Sequence, residues 1–192
     1  MSIFLDLFAL ISSRKPNGLI TLWYADIGVS VTFSPKMLNG FNNSANVSFL
    51  PTSTTWEMEA GQQGNVASSQ IAYCFHSVDG YSKVGTYTGN GVNLNGPFVY
   101  TGFRPAYVMI KRTDSADPWV IFDSAREPEN EDDGQDLSLK ANASDAEASY
   151  GNIDLLSNGF KVMINAGYMN NSGSPYIYLA FAEHPFKHTN AR

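Results

Sequence analysis

Four groups of side chains have types and spacings that could do chemistry. Asp114, Asp117 and Asp123 are close enough in sequence for two of them to share a cleft, as glycosidase carboxylates do. Cys74 and His76 alternate with Tyr73 and Phe75, so on a strand they share a face and could form a nucleophile pair. His184 and His188 stand at the spacing that aims two imidazoles at one zinc ion on a helix. The run from 127 to 136 carries six carboxylates and no cation, and Glu131, Asp132, Asp133 and Asp136 could supply oxygens to calcium.

Each group also has a plainer reading. Asp114-Ser-Ala-Asp-Pro118 reads as a turn in which short polar side chains satisfy local backbone groups. Pro185 disrupts a helix between the two histidines, and no third ligand is indicated. A cysteine in an apolar strand is usually an inert small hydrophobe. The acidic run lacks the alternating ligands and terminal glutamate of an EF-hand and reads as a solvated loop. With no GxSxG elbow, phosphate loop or dinucleotide fingerprint, an enzyme reading has no anchor, and neither a cofactor nor a metal is expected.

The elements that would position these groups read as β-strands. A chain of 192 residues with 43% hydrophobic side chains suits one compact domain that can bury about two-thirds of its unfolded surface. The single cysteine excludes an internal disulfide and fits a reducing cytoplasm at synthesis. A net charge of -6 argues against nucleic acid and anionic membrane as partners. The apolar stretch from Ile3 to Ile11 is too short to span a bilayer and lacks the flanks of a signal peptide.

Residues 1–15 read as a short apolar arm or helix, with Phe4, Leu7, Phe8 and Ile11 recurring at helical spacing on one face. Residues 16–192 read as a single domain. Strands are expected at 19–24, 29–33, 47–50, 71–76, 83–87, 98–101, 106–113, 119–123, 153–156, 160–164 and 176–183, between Gly-, Asn-, Asp- and Pro-rich turns. The clearest hairpin runs from Ile153 to Ile164 around a type I′ signal at Asn158-Gly159. Residues 141–149 are alanine-rich and suggest a helical turn. The nearly continuous apolar runs at 107–110 and 176–181 belong inside a two-layer stack, so the expected class is all-β, an antiparallel β-sandwich of jelly-roll-like form. Three Trp, ten Tyr and twelve Phe are assigned to core and contacts, with sugar stacking by exposed rings as the alternative.

Several words from residue 71 onward are specific: Ile71-Ala-Tyr-Cys-Phe-His-Ser-Val-Asp-Gly-Tyr-Ser-Lys83, Gly96-Pro-Phe-Val-Tyr-Thr-Gly-Phe-Arg-Pro-Ala-Tyr-Val-Met-Ile-Lys-Arg-Thr113, Asp123-Ser-Ala-Arg126, Asp154-Leu-Leu-Ser-Asn-Gly-Phe-Lys161 and Tyr176-Ile-Tyr-Leu-Ala-Phe-Ala-Glu-His-Pro-Phe-Lys187. Through these words, residues 71–192 resemble a domain of unknown function found in predicted structural proteins of tailed, often marine, bacteriophages. The resemblance implies a β-rich module of the virion, assembled in the host cytoplasm, and brings no catalytic residues. The length leaves no room for a fibre shaft beside one sandwich, so a head decoration or cement protein is expected ahead of a tail-fibre or receptor-binding module for host-surface glycans. The expected partners are further copies, as a homotrimer, together with the major capsid protein or tail components. Phe4, Leu7, Phe8 and Ile11 are the candidate docking residues, because monomers rarely expose so much apolar surface.

Overall fold

In a computed structural model the described residues are 7–13, 70–126, 130 and 136–184, with backbone alone for 7–13, 70–74 and 150. The expected strands at 19–24, 29–33 and 47–50 lie outside them. The chain divides into two compact units, Met1–Ser77 and Val78–Arg192.

In the first unit, β1 (Leu7–Ser13) pairs antiparallel with β2 (Gln70–His76), from Leu7 opposite His76 to Ser13 opposite Gln70. This corrects the helical reading of the arm over residues 7–13. The segment is extended and its partner is distant in sequence, so tertiary pairing overrides the local helical period.

The second unit holds two antiparallel layers. One runs in the order β3 (Ser82–Thr88), β11 (Pro175–Ala182), β5 (Pro105–Arg112), β6 (Val120–Asp123), β7 (Asp136–Lys140) and β8 (Ala148–Gly151). The other runs β4 (Phe98–Tyr100), β10 (Gly159–Val162), β9 (Ile153–Leu156). The all-β antiparallel sandwich expected from the sequence is therefore the observed class, in an unequal six-and-three form.

The core lies between the layers. The six-stranded sheet contributes Val108, Ile110, Val120, Phe122, Tyr176 and Tyr178, which meet Val99, Ile153, Leu155, Phe160 and Val162 of the smaller sheet. Strand β11 is buried without a break from Tyr176 to Ala180, because it sits between β3 and β5 and neither face reaches water. Its aromatic residues pack edge-on and stacked: Tyr176 lies parallel to Tyr87 at 4.9 Å, and Tyr178 meets Phe160 at 5.3 Å and 78°. The aromatic residues of this unit are to that extent core, as expected.

Two local expectations are corrected. The hairpin β9–β10 forms, but Leu156 pairs with Gly159, so the loop is Ser157-Asn158 and neither residue has positive φ. Gly159 is spent on close approach instead, since a Cβ there would collide with the Val99 carbonyl oxygen. Residues 141–149 form no helical turn. The Asn142 side chain accepts the Trp119 amide and the Ala141 amide donates to the Trp119 carbonyl, which ties the segment to the start of β6 before it enters β8.

Candidate functional site

Asp114, Asp117 and Asp123 are each held by an arginine. Arg112 bridges Asp114 through Nε and Asp117 through Nη1, and its Nη1 also donates to the Gly167 carbonyl. The hydrogen bond from Arg112 is the main reason the Asp114 carboxyl is held below its ordinary range. Arg126 binds Asp123 and Glu147, while Asp123 also accepts the Ala125 and Arg126 amides. These carboxylates shape the ends of β5 and β6.

Lys111, beside this network, is the unexpected charge. It is 1% exposed, and its ammonium donates to the carbonyls of Ser115 (2.7 Å) and Asp117 (2.6 Å), which closes the 113–118 turn over it. Loss of water pushes its pKa down to about 8 against the opposing pull of Asp117.

Cys74 and His76 share strand β2, two residues apart as expected. His76 is exposed, and its Nδ1 lies 3.0 Å from the Ser77 carbonyl. Cys74 is described by its backbone alone, opposite Ala9. His184 is exposed, and His188 lies outside the described residues. Of the docking candidates, Leu7, Phe8 and Ile11 lie in β1 opposite His76, Phe75 and Ala72, and Phe4 is outside the described residues. Among the described residues no group of three metal-ligating side chains occurs.

The acidic run has a structural use at its two described positions. The Asn130 side chain accepts the Leu155 amide at 2.8 Å and donates to the Leu155 carbonyl at 3.2 Å, as a neighbouring strand would. Asp136, 3% exposed, accepts the Ile153 amide. Together they cover the outer edge of β9. Asn130→Ala is expected to cost about 1 kcal/mol and to speed amide exchange at Leu155. Unchanged exchange at that amide would mean that another group covers the edge.

The backbone of the 89–97 loop is fastened by a polar side chain outside it. Asn170, fully buried in α1 (Gly167–Asn170), accepts the Asn90 and Gly91 amides and donates to the Val92 carbonyl. Hydroxyls of Tyr87 and Tyr176 donate to the Met169 and Gly167 carbonyls at 2.7 and 2.6 Å, holding α1 itself. The loop is fixed firmly enough to keep Leu94 left-handed, at φ 59°, with its amide on the Met163 carbonyl.

This loop leads into β4, whose outer face carries the clearest candidate surface. Val99 points into the core, while Phe98 and Tyr100 are 47% and 64% exposed. Register places Tyr100 in a row with Gly159 and Leu156, and Phe98 in a row with Lys161 and Asp154. Both rings lean on glycines. The Phe98 ring comes within 2.9 Å of where a Gly159 Cβ would be, and the Tyr100 hydroxyl within 3.7 Å of a Gly102 Cβ. The result is an aromatic pair seated on the sheet and bordered by Asn158 and Lys161.

A model of the family described as a domain of unknown function, DUF7483, matches residues 27–185. The chain belongs to this family. No curated protein and no solved structure matches it. The match covers the whole sandwich unit up to residue 185, including β4 and its aromatic pair, and starts well before the sequence words quoted above. The sequence places Phe98-Val-Tyr100 on a strand but leaves open which rings face water. The signal was present, since a lone aliphatic residue between two aromatics at a strand's alternating positions leaves the aromatics on the opposite face. The Asn130 clip, the Asn170 clamp and the burial of Lys111 join residues 25, 80 and 6 positions apart, and no local motif announces them.

Proposed function

We propose that this protein is a non-enzymatic structural component of a bacteriophage particle, displayed on its surface as a head decoration or cement protein. The observation that carries this reading is the use made of the chemistry-bearing side chains. Asp114, Asp117 and Asp123 are paired with arginines, and Asn130, Asp136, Asn170 and Lys111 fasten edges and loops. A scaffold fastened in this way suits load-bearing display better than turnover. The resemblance of residues 71–192 to phage structural proteins supplies the particle, and membership of a family of unknown function is compatible with it.

In this proposal copies assemble as homotrimers on the major capsid protein, and Phe4, Leu7, Phe8 and Ile11 contribute to docking. The test is whether the protein is a stoichiometric component of purified particles, in groups of three on the head. Its absence from particles would sink the reading. The exposed Phe98–Tyr100 pair favours a second placement, as a tail-fibre or receptor-binding module that meets host-surface glycans.

A further inference from the structure

We infer that the outer face of β4 is a saccharide-binding platform, with the Phe98 and Tyr100 rings as the stacking surface. The inference deepens the surface-display reading above by naming what the displayed face would contact. Three observations carry it. First, the rings are presented rather than packed: both point away from the core, while Val99 between them anchors the strand inside it. Second, both rings lie against glycines: the Phe98 ring rests on Gly159 of β10, and the tip of the Tyr100 ring lies beside Gly102, just past the end of β4. Two such rings at alternate strand positions lie about 7 Å apart, enough to cover adjacent sugar rings of one oligosaccharide.

Third, the size and border of the face select the occupant. The two rings expose roughly 200 Å² between them, about a quarter of the ~800 Å² that each partner contributes to a stable protein pair. These two rings alone would give a second copy or a protein partner little to gain. A pyranose suits the face, because it combines an apolar C–H side that can lie on a ring with hydroxyls at its rim. Asn158, exposed at the hairpin tip, and Lys161, opposite Phe98, stand where such hydroxyls would need donors and acceptors. The support is rigid, since the loop entering β4 is clamped by buried Asn170, and little ordering cost remains to be met on binding.

The experiment uses the isotope-labelled full chain. It is first screened against an array of bacterial surface polysaccharides, and positive sugars are then titrated while the amide signals of residues 98–102 and 158–161 are followed. The expected result is binding of at least one neutral polysaccharide, with shifts confined to those residues. Tyr100→Ala should weaken it tenfold or more without changing the unfolding midpoint, and Tyr100→Phe should retain most of it. An array without binding, or Tyr100→Ala binding as the parent does, overturns the inference. Shifts at Phe98 and Tyr100 that depend on protein concentration alone also overturn it, since the face would then join copies of the chain. Because the assay uses free protein, its failure leaves the particle test above untouched.

Discussion

Phe160→Ala is expected to lower the unfolding free energy of the sandwich by about 3–5 kcal/mol. Phe160 is fully buried on β10, the middle strand of the small layer, flanked by Val99 of β4 and Leu155 of β9 in register. From there it reaches across the core, meeting Tyr178 edge-on at 5.3 Å and Tyr87 at 6.2 Å. Truncation removes the apolar transfer term and leaves a cavity that two sheets held by paired backbones cannot readily close. The measurement is urea unfolding of the full chain followed by near-ultraviolet circular dichroism, which reports the aromatic cluster. A loss below 1 kcal/mol would show that the two layers are not joined through this ring.

Lys111 gives the second large effect, and its direction is opposite to ordinary alkaline behaviour. Its pKa is pushed down to about 8 in the folded protein, chiefly by loss of water, against about 10.4 in an unfolded chain. Between these values the folded state has released the proton and the unfolded state still holds it. Unfolding therefore takes up a proton, and stability rises with pH across this window. The gain is about 2–3 kcal/mol by pH 10. Beyond pH 10 it is opposed, because burial raises the pKa values of Tyr87 and Tyr176 and pushes Tyr107 up to about 12. Unfolded tyrosines then ionise before folded ones, and stability falls.

The expected profile rises from pH 8, peaks near 10 and declines. Lys111→Met should flatten the rise, although it also leaves the Ser115 and Asp117 carbonyls without their donor. Urea midpoints of both proteins from pH 7 to 11 test this. A flat parent profile from 8 to 10, or a rise that survives Lys111→Met, would show that the buried ammonium is not its source.

How far the sequence could be read depends on the kind of pattern. Strands whose buried face is apolar were legible, as at Ile153–Leu156 and Pro105–Arg112, because side-chain alternation or unbroken apolar character marks them directly. Strand β7 was not, because its pattern is inverted: Asp136 and Ser138 are buried while Leu139 is exposed. Those polar residues have partners in β8 and β9, Asp136 through the Ile153 amide and Ser138 through the Ala148 carbonyl, which only the tertiary fold supplies. For the arm only the helical alternative gave way, over residues 7–13, since apolar residues at helical spacing can also fill a paired strand, and β2 lies far along the chain. Glycine was misread at 159, where Asn-Gly suggests a positive-φ turn but the residue serves close packing beneath Phe98. For the candidate surface, the sequence held the aromatic alternation of β4, while exposure and the supporting glycines depend on strand register.

The central proposal, a structural protein of the particle surface, is tested most directly by cryo-electron microscopy of purified phage particles that carry this gene, with the protein quantified by mass spectrometry in the same preparation. The proposal predicts sandwich-shaped density in groups of three on the outer face of the head, at a copy number set by the shell's symmetry. Particles that contain none of the protein, although it accumulates in the infected cell, would contradict it.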